Sequence, residues 1–232
     1  MHIAVMQPYF FPYIGYYQMA SSVDNFVFLD DANMIKKGFI NKNRILLNNE
    51  IYNFSIPLIK CSQNRKINEH LLAESPDGFL EKIFHAYRKS LNFKSGISII
   101  EQCFADSQQQ ISKLCIASIS SVFSYIEEDF HYSISSSAPS EKKSQDRIIE
   151  ICKKQSAKTY WNLPGGKSLY SEKDFEKEKI DLKFFDPVIT PYSQTPKNKE
   201  FISHLSIIDV IMNNNKDQII KMIKQTHQGK NK

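Results

Sequence analysis

The sequence Met1-His-Ile-Ala-Val-Met-Gln-Pro-Tyr-Phe-Phe-Pro-Tyr-Ile-Gly-Tyr16 predicts a strand, a stiff loop and the start of a helix. The apolar run at residues 2–6 is typical of a short strand. Pro8 and Pro12 end it, because proline lacks a backbone N–H and pushes the preceding residue toward extended geometry. In open α/β sheets, ligands bind at the loop that leaves the first strand. Three aromatic residues of this loop therefore predict a contact surface, with packing into the core as the alternative: Tyr9, Phe10 and Phe11.

The following residues extend this pattern to a βαβ unit. Residues 14–22 predict a short helix and residues 26–29 a second strand, so strand, loop, helix and strand fit within about 30 residues. The second strand ends on Asp30-Asp31. If the two strands are parallel neighbours, their carboxyl ends bring four side chains to one crevice: Gln7, Tyr9, Asp30 and Asp31.

The rest of the chain continues to alternate between helix and strand patterns. Residues 45–47 and 51–57, joined by Asn48-Asn49, predict a hairpin, because Asn readily adopts positive φ. Helices are predicted from Pro76-Asp77 onward and over residues 108–125, 142–154 and 205–212, and strands over residues 130–134, 158–161 and 180–185. The class is therefore α/β, with a mainly parallel, Rossmann-like sheet, flanking helices and an inserted helical and hairpin segment. We expect a single domain over residues 1–232 with a helical insertion at about 60–128.

Composition excludes several classes of protein. The chain is 41% hydrophobic and 24% charged with a net charge of +5, which is ordinary for a globular protein. No apolar run approaches the roughly 20 residues that span a bilayer, and no charged leader precedes an apolar segment, so we expect a cytoplasmic protein. The four cysteines form no Cys-x-x-Cys pair and the six histidines no His-x-x-x-His pair, so neither a disulfide framework nor a dedicated metal centre is predicted.

Two carboxylates and a set of donors are the main chemical candidates. Asp30 and Asp31 are predicted catalytic residues that act as a base or hold Mg²⁺ together with nucleotide phosphates, and a polar strand exit is the alternative. A dense group of donors follows them, within which Arg44 would grip a phosphate or carboxylate with two hydrogen bonds. A solvated loop is the alternative for this group, which comprises Lys36, Lys37, Asn41, Asn43 and Arg44.

The turn Pro164-Gly165-Gly166-Lys167-Ser168 follows a predicted strand and offers backbone N–H groups beside a cation. It lacks the four residues that separate the glycines of a Walker loop. We weigh a backbone cradle for a phosphate or carboxylate, with Gly165 and Gly166 as binding residues, against a plain tight turn.

Together these residues resemble the WbqC-like protein family. The matching pieces cover nearly the whole chain: residues 6–16, Asp24-x-Phe-Val27 with Asp30-Asp31, Lys37 to Arg44, Pro57, Tyr160-x-Asn162 with Gly165-Gly166 and Tyr170, Tyr192-x-Gln194, and residues 205–209. The resemblance implies a cytoplasmic role in sugar modification, since members occur in gene clusters for bacterial O-antigen and other surface polysaccharides. It implies an aminoacyl or acyl transferase that attaches glycine to a nucleotide-linked amino sugar. ATP with Mg²⁺, or a carrier such as glycyl-tRNA, would activate the glycine.

The transferase hypothesis also predicts binding residues. Tyr9, Tyr13 and Tyr16 would form a platform for the sugar or base, next to Gly15 in the same motif. Further substrate-binding residues would be Gln7, Asn162, Tyr170 and Gln194.

Two alternatives come from other classes: a non-catalytic nucleotide-sugar-binding protein, and an ATP-dependent adenylating or ligase-type enzyme. Adenylating enzymes of similar fold carry His-x-Gly-His in the first loop, where this chain has Tyr13-Ile-Gly15-Tyr16, so their usual phosphate contacts are missing. The oligomeric state stays open, as does whether His204 and Asp209 reach the cleft or pack the last helix.

Overall fold

The computed structural model describes residues 1–35, 38–195 and 200–225, so the predicted donors Lys36 and Lys37 lie outside the described residues. Five strands form a sheet in the order β5-β2-β1-β6-β7, and every neighbouring pair in it is parallel. Two further strands, β3 and β4, form a separate antiparallel hairpin. The strands are β1 (His2–Met6), β2 (Asn25–Phe28), β3 (Lys42–Leu47), β4 (Glu50–Ser55), β5 (Tyr132–Ile134), β6 (Thr159–Asn162) and β7 (Asp181–Phe184).

The predicted α/β class and Rossmann-like sheet are confirmed. The first two strands are parallel neighbours in the register Ala4 to Phe26 and Met6 to Phe28, with a helix between them, as the βαβ prediction requires. The helices are α1 (Ile14–Ser21), α2 (Asp77–Tyr87), α3 (Phe93–Asp106), α4 (Ile111–Tyr125), α5 (Ser144–Lys154), α6 (Glu172–Lys177), α7 (Ile207–Asn213) and α8 (Lys216–Lys224).

Two helix starts differ from the sequence prediction for local reasons. The helix expected from residue 108 begins at Ile111, because Gln108 and Gln109 have φ values of 48° and 60°, which no right-handed helix contains. The last predicted helix begins at Ile207 rather than at residue 205, since Ser206 is its N-cap and accepts a hydrogen bond from the backbone N–H of Ile208 (3.3 Å).

Helices cover both faces of the sheet. Alternating residues of β1 divide between the faces, with Ile3 and Val5 on one and Ala4 on the other. The first face packs on α5 and α6, where Ile148, Ile151 and Cys152 repeat at helical spacing. The larger core on the other face includes α1 to α4, α7 and α8.

The aromatic loop after β1 has a split role. Phe10 and Phe11 are fully buried, so the core alternative holds for these two residues. Phe11 has a φ of 43°, and its backbone N–H donates to the Ser118 hydroxyl (3.0 Å), which fixes the bend of the loop. Tyr9 is only half-buried and remains free to form a contact surface.

No helix in the described ranges is long and apolar enough to cross a membrane.

Candidate functional site

A cavity of about 920 Å³ opens at the carboxyl edge of β1, β6 and β7. Its walls are the loop after β1, residues 38–40, the turn after β6 and the segment after β7. Parallel strands end on this edge, and ligands of open α/β sheets bind there. The volume lies near the upper end of the roughly 300–1,000 Å³ that is typical of small-molecule sites.

Three of the predicted binding tyrosines line one wall: Tyr9 and Tyr13 from the first loop, and Tyr16 from the first turn of α1, where its side chain is almost fully buried. The Tyr16 hydroxyl donates to the carbonyl of Gln7 (3.0 Å), which is also in the wall. Burial raises the pKa of Tyr9 and of Tyr16, and burial with the negative charge of Asp186 raises the pKa of Tyr13 to about 12. All three phenols therefore stay neutral near pH 7.

The turn after β6 forms the facing wall and brings Asn162, Gly165, Gly166 and Tyr170 to the cavity. The Asn162 amide donates to the Tyr160 hydroxyl (3.0 Å) and accepts from the backbone N–H of residue 163 (2.7 Å). A Cβ at Gly166 would lie 2.6 Å from the amide nitrogen of Asn162, so only glycine permits this packing. The backbone N–H of Gly166 is already bonded within the turn, whereas Gly165 faces open space.

Gly15 contributes through packing. A Cβ there would lie 2.5 Å from the ring of Tyr13 and 2.7 Å from Pro187. Both of those residues line the cavity. Gly15 therefore allows the first turn of α1, the Tyr13 ring and the segment after β7 to meet.

The structure does not bring Asp30 and Asp31 to the cavity, although Leu29 lines it, so the expected shared crevice is not formed. Asp30 is 4% exposed and accepts hydrogen bonds from Ser135 Oγ (3.1 Å), Ser136 N (3.0 Å), Ser136 Oγ (2.7 Å) and Asn68 Nδ2 (3.2 Å). The carboxylates turn away because Asn68 and Ser136 donate to Asp30, Arg147 donates to Asp31, and the single Ser135 hydroxyl proton lies between the two carboxylates.

Arg147 on α5 completes this polar network. It is 4% exposed, and its guanidinium donates to Asp31 (2.8 Å), to Glu150 (2.8 Å) and to the carbonyls of Ser135 (2.9 Å) and Ala138 (2.8 Å). The network joins α5 to the carboxyl ends of β2 and β5. Its geometry is that of a structural anchor beside the cavity.

Three predicted binding amides bond to the backbone outside the cavity wall. Asn43 is buried and donates to the carbonyls of residues 10 (3.2 Å) and 11 (2.6 Å). Asn41 donates to the carbonyl of residue 56 (2.8 Å), and Gln194 bonds to both backbone groups of Ile202 (2.8 and 2.9 Å). These amides hold the loops that surround the site.

Arg44 lies next to the cavity. Its Nε donates to the carbonyl of His204 (3.0 Å), and its charge acts on Tyr9, both of which line the wall. Within the described ranges its side chain makes no other hydrogen bond or ion pair, so the two terminal NH2 groups of its guanidinium can bind an anion.

Sequence reasoning missed Asp186 and left His204 open, and both line the cavity. The His204 ring lies 5.4 Å from the Tyr13 ring, Nδ1 is 2.9 Å from the Ser203 hydroxyl, and its φ is 58°. Asp186 lies two residues after the end of β7, so the strand-end argument applied to the first strands would have identified it.

Asp209, the other residue left open, packs in the core. It is fully buried and accepts hydrogen bonds from Tyr87 (2.7 Å) and Tyr192 (2.6 Å). Burial raises the pKa of its carboxyl group despite these donors.

The fold and the site define an α/β protein with a ligand-sized, tyrosine-lined cavity at the carboxyl edge of a parallel sheet. The chain belongs to the WbqC-like protein family, whose model matches residues 7–221. It is 21% identical over 188 residues to the uncharacterized protein Rv1507c of Mycobacterium tuberculosis, a match that covers 79% of this chain and 81% of that protein. No solved structure matches the chain.

Proposed function

We propose that this protein is an aminoacyl transferase that attaches a glycyl group to the amine of a nucleotide-linked amino sugar. Membership of the WbqC-like family supports a cytoplasmic step in O-antigen or surface polysaccharide biosynthesis. The observation that carries the proposal is the composition of the cavity wall, where an imidazole, a carboxylate and neutral phenols surround one space.

The cavity suits such a substrate in size and surface. Its volume of about 920 Å³ can accept a ligand larger than a single sugar. Tyrosine rings offer stacking surfaces to a sugar or base, and the terminal guanidinium NH2 groups of Arg44 can hydrogen-bond to a phosphate.

We take His204 as the base in place of Asp30 and Asp31. The imidazole of His204 lines the cavity, whereas the two carboxylates lie outside it and accept hydrogen bonds from other side chains and backbone groups. The acceptor amine must lose a proton before it attacks, and an imidazole takes protons near pH 7. The amine nitrogen then bonds to the glycyl carbonyl carbon, and the C–O bond to the carrier breaks. The nitrogen loses a second proton as the amide forms, and the carrier oxygen takes that proton as it leaves. The proton that His204 removed before the attack passes to water.

The neutral phenols can stabilise the charge that develops on the glycyl oxygen. Tyr9 and Tyr13 keep their protons because burial raises the pKa of each. A hydroxyl group aimed at a developing oxyanion lowers the barrier for acyl transfer.

The test incubates the purified protein with UDP- or dTDP-linked 4-amino sugars and two donors, glycyl-tRNA or glycine with ATP and Mg²⁺. Mass spectrometry should detect a sugar product heavier by one glycyl residue. His204→Asn should lower the rate by roughly 100-fold or more while nucleotide-sugar binding persists. Asparagine is chosen because it tolerates the left-handed backbone of His204.

His131→Asn is the matched control, since His131 is an exposed histidine outside the cavity. Its rate should equal that of the unaltered protein. Tight binding with no glycyl product from either donor would refute the transferase and favour the binding protein. Release of pyrophosphate from ATP without transfer would favour an adenylating enzyme.

A further inference from the structure

We propose that the cavity contains a subsite for a protonated amine, formed by the carboxylate of Asp186 and the ring of Tyr13. This subsite rests on the proposed function in one respect: the proposed function identifies the ligand that carries the amine as a nucleotide-linked amino sugar. It assigns recognition of the amine to a residue outside the motifs of the sequence analysis.

The backbone on both sides of Asp186 is fixed. On one side, the N–H of Phe185 donates to the carbonyl of Asn162 (2.8 Å), which ties the end of β7 to β6. On the other side, the buried amide of Gln18 accepts from the N–H of Val188 (2.9 Å) and donates to its carbonyl (2.8 Å). Asp186 therefore occupies a set position in the wall although its side chain is exposed.

The carboxylate of Asp186 has no partner in the described part of the chain. It makes no hydrogen bond and no ion pair there, in contrast to Asp30 and Asp209, which accept several bonds each. No described lysine or arginine lines the cavity. An unpaired carboxylate that faces a cavity of tyrosine rings attracts a cation.

Tyr13 supports the same ligand. Its pKa is raised to about 12 by burial and then by the charge of Asp186, so it adds no second negative charge. The negative face of a tyrosine ring attracts an ammonium group within about 6 Å. His204 lies 5.4 Å from Tyr13 between ring centroids and lines the same cavity, so an amine bound beside Tyr13 would lie near the proposed base.

An amine fits this donor set better than a metal ion. Ca²⁺ takes six to eight oxygen ligands, and Mg²⁺ usually combines one or two carboxylates with substrate phosphates and several waters. Asp186 is the sole acidic residue in the described wall, and no group of three His, Cys, Asp or Glu suited to a metal occurs among the described residues. A single carboxylate beside an aromatic ring matches a single ammonium.

The experiment measures binding by calorimetry, without any acyl donor. The probes are UDP- and dTDP-linked 4-amino-4,6-dideoxyglucose and their counterparts with a hydroxyl or an acetamide at the same carbon. The unaltered protein should prefer the amine by about tenfold or more in one nucleotide series, since an ion-paired hydrogen bond contributes that much.

Asp186→Asn should abolish the preference, and its lack of partners predicts that the variant folds normally. Asp181→Asn is the matched control, since Asp181 is an exposed acid at the start of β7 and does not line the cavity, and it should retain the preference. Equal affinity for amine and hydroxyl probes, a preference that survives Asp186→Asn, or no binding of any probe would overturn the proposal. An amine preference without glycyl transfer would refute the proposed function alone.

Discussion

Replacing Gly15 by alanine tests the packing that holds two walls of the cavity together. The new Cβ would lie 2.5 Å from the Tyr13 ring and 2.7 and 2.8 Å from two carbons of Pro187. Carbon atoms pack at about 3.5–4.0 Å, so the Tyr13 ring must move by about 1 Å. The proline ring leaves little freedom for adjustment on the other side.

The energetic cost follows from two opposing effects. Overpacking costs about 1–3 kcal/mol, whereas alanine in a helix gains about 0.5–1 kcal/mol over glycine. The net loss in the free energy of unfolding should be about 1–2 kcal/mol. For a chain of this length that loss lowers Tm by about 2–8 °C.

Thermal unfolding followed by circular dichroism measures this loss, with Gly165→Ala as the control. Gly165 lies in the same cavity, yet a Cβ there meets nothing within 4 Å and its φ is not positive. The control should stay within about 0.5 kcal/mol of the unaltered protein. Nucleotide-sugar binding should weaken in Gly15→Ala because Tyr13 and the Asp186 segment are displaced. A Gly15→Ala protein that melts at or above the original Tm would refute the reasoning.

Three further predictions concern buried charge and thiols. Arg147→Met should cost about 3–5 kcal/mol in urea unfolding because it leaves Asp31 without its partner, whereas Lys153→Met breaks an exposed pair and should cost at most about 1 kcal/mol; equal losses would contradict this. Burial raises the folded-state pKa of Asp209 above 3.8, so its contribution to stability is full below pH 3.8 and is lost as pH rises through the folded value. In urea unfolding at several acid pH values, the free energy of unfolding of Asp209→Asn should therefore depend less on pH than that of the unaltered protein. An equal pH dependence in the two proteins would count against this prediction. A thiol reagent should label the exposed Cys61 rapidly. It should label Cys103, Cys115 and Cys152 only after unfolding, because these three are buried and burial raises the pKa of each thiol. Peptide mass mapping that finds one of these three labelled before Cys61 would contradict the prediction.

Local patterns were enough to predict the sheet and one wall of the cavity. Pro8 and Pro12 mark the loop, and the spacing of apolar runs identifies the βαβ unit, because strand and helix periods depend on near neighbours. The sequence also contains an unused signal for α8. Asn215 and Gln218 form a capping box (2.9 and 3.0 Å), and Ile219 and Ile223 follow at helical spacing.

The role of each carboxylate could not be predicted in this way. Asp30 is satisfied by Ser135 and Ser136, which lie more than 100 residues further along the chain. Asp186 has no such donors and faces the cavity instead. The sequence pattern predicts that an acidic residue lies at a strand end. Whether its carboxylate is free to bind a ligand depends on hydrogen-bond donors that are distant in the sequence.

The central position of β1 has a consequence for synthesis in the cell. Ala4 pairs with Phe26 on one side but with Trp161 on the other. Ribosomes add about 5–20 residues per second, so β6, which pairs with the second edge of β1, is synthesised roughly 8–30 s after β1. During that interval an apolar strand edge stays open to other chains, and binding by a chaperone at this stage would protect the nascent protein from aggregation.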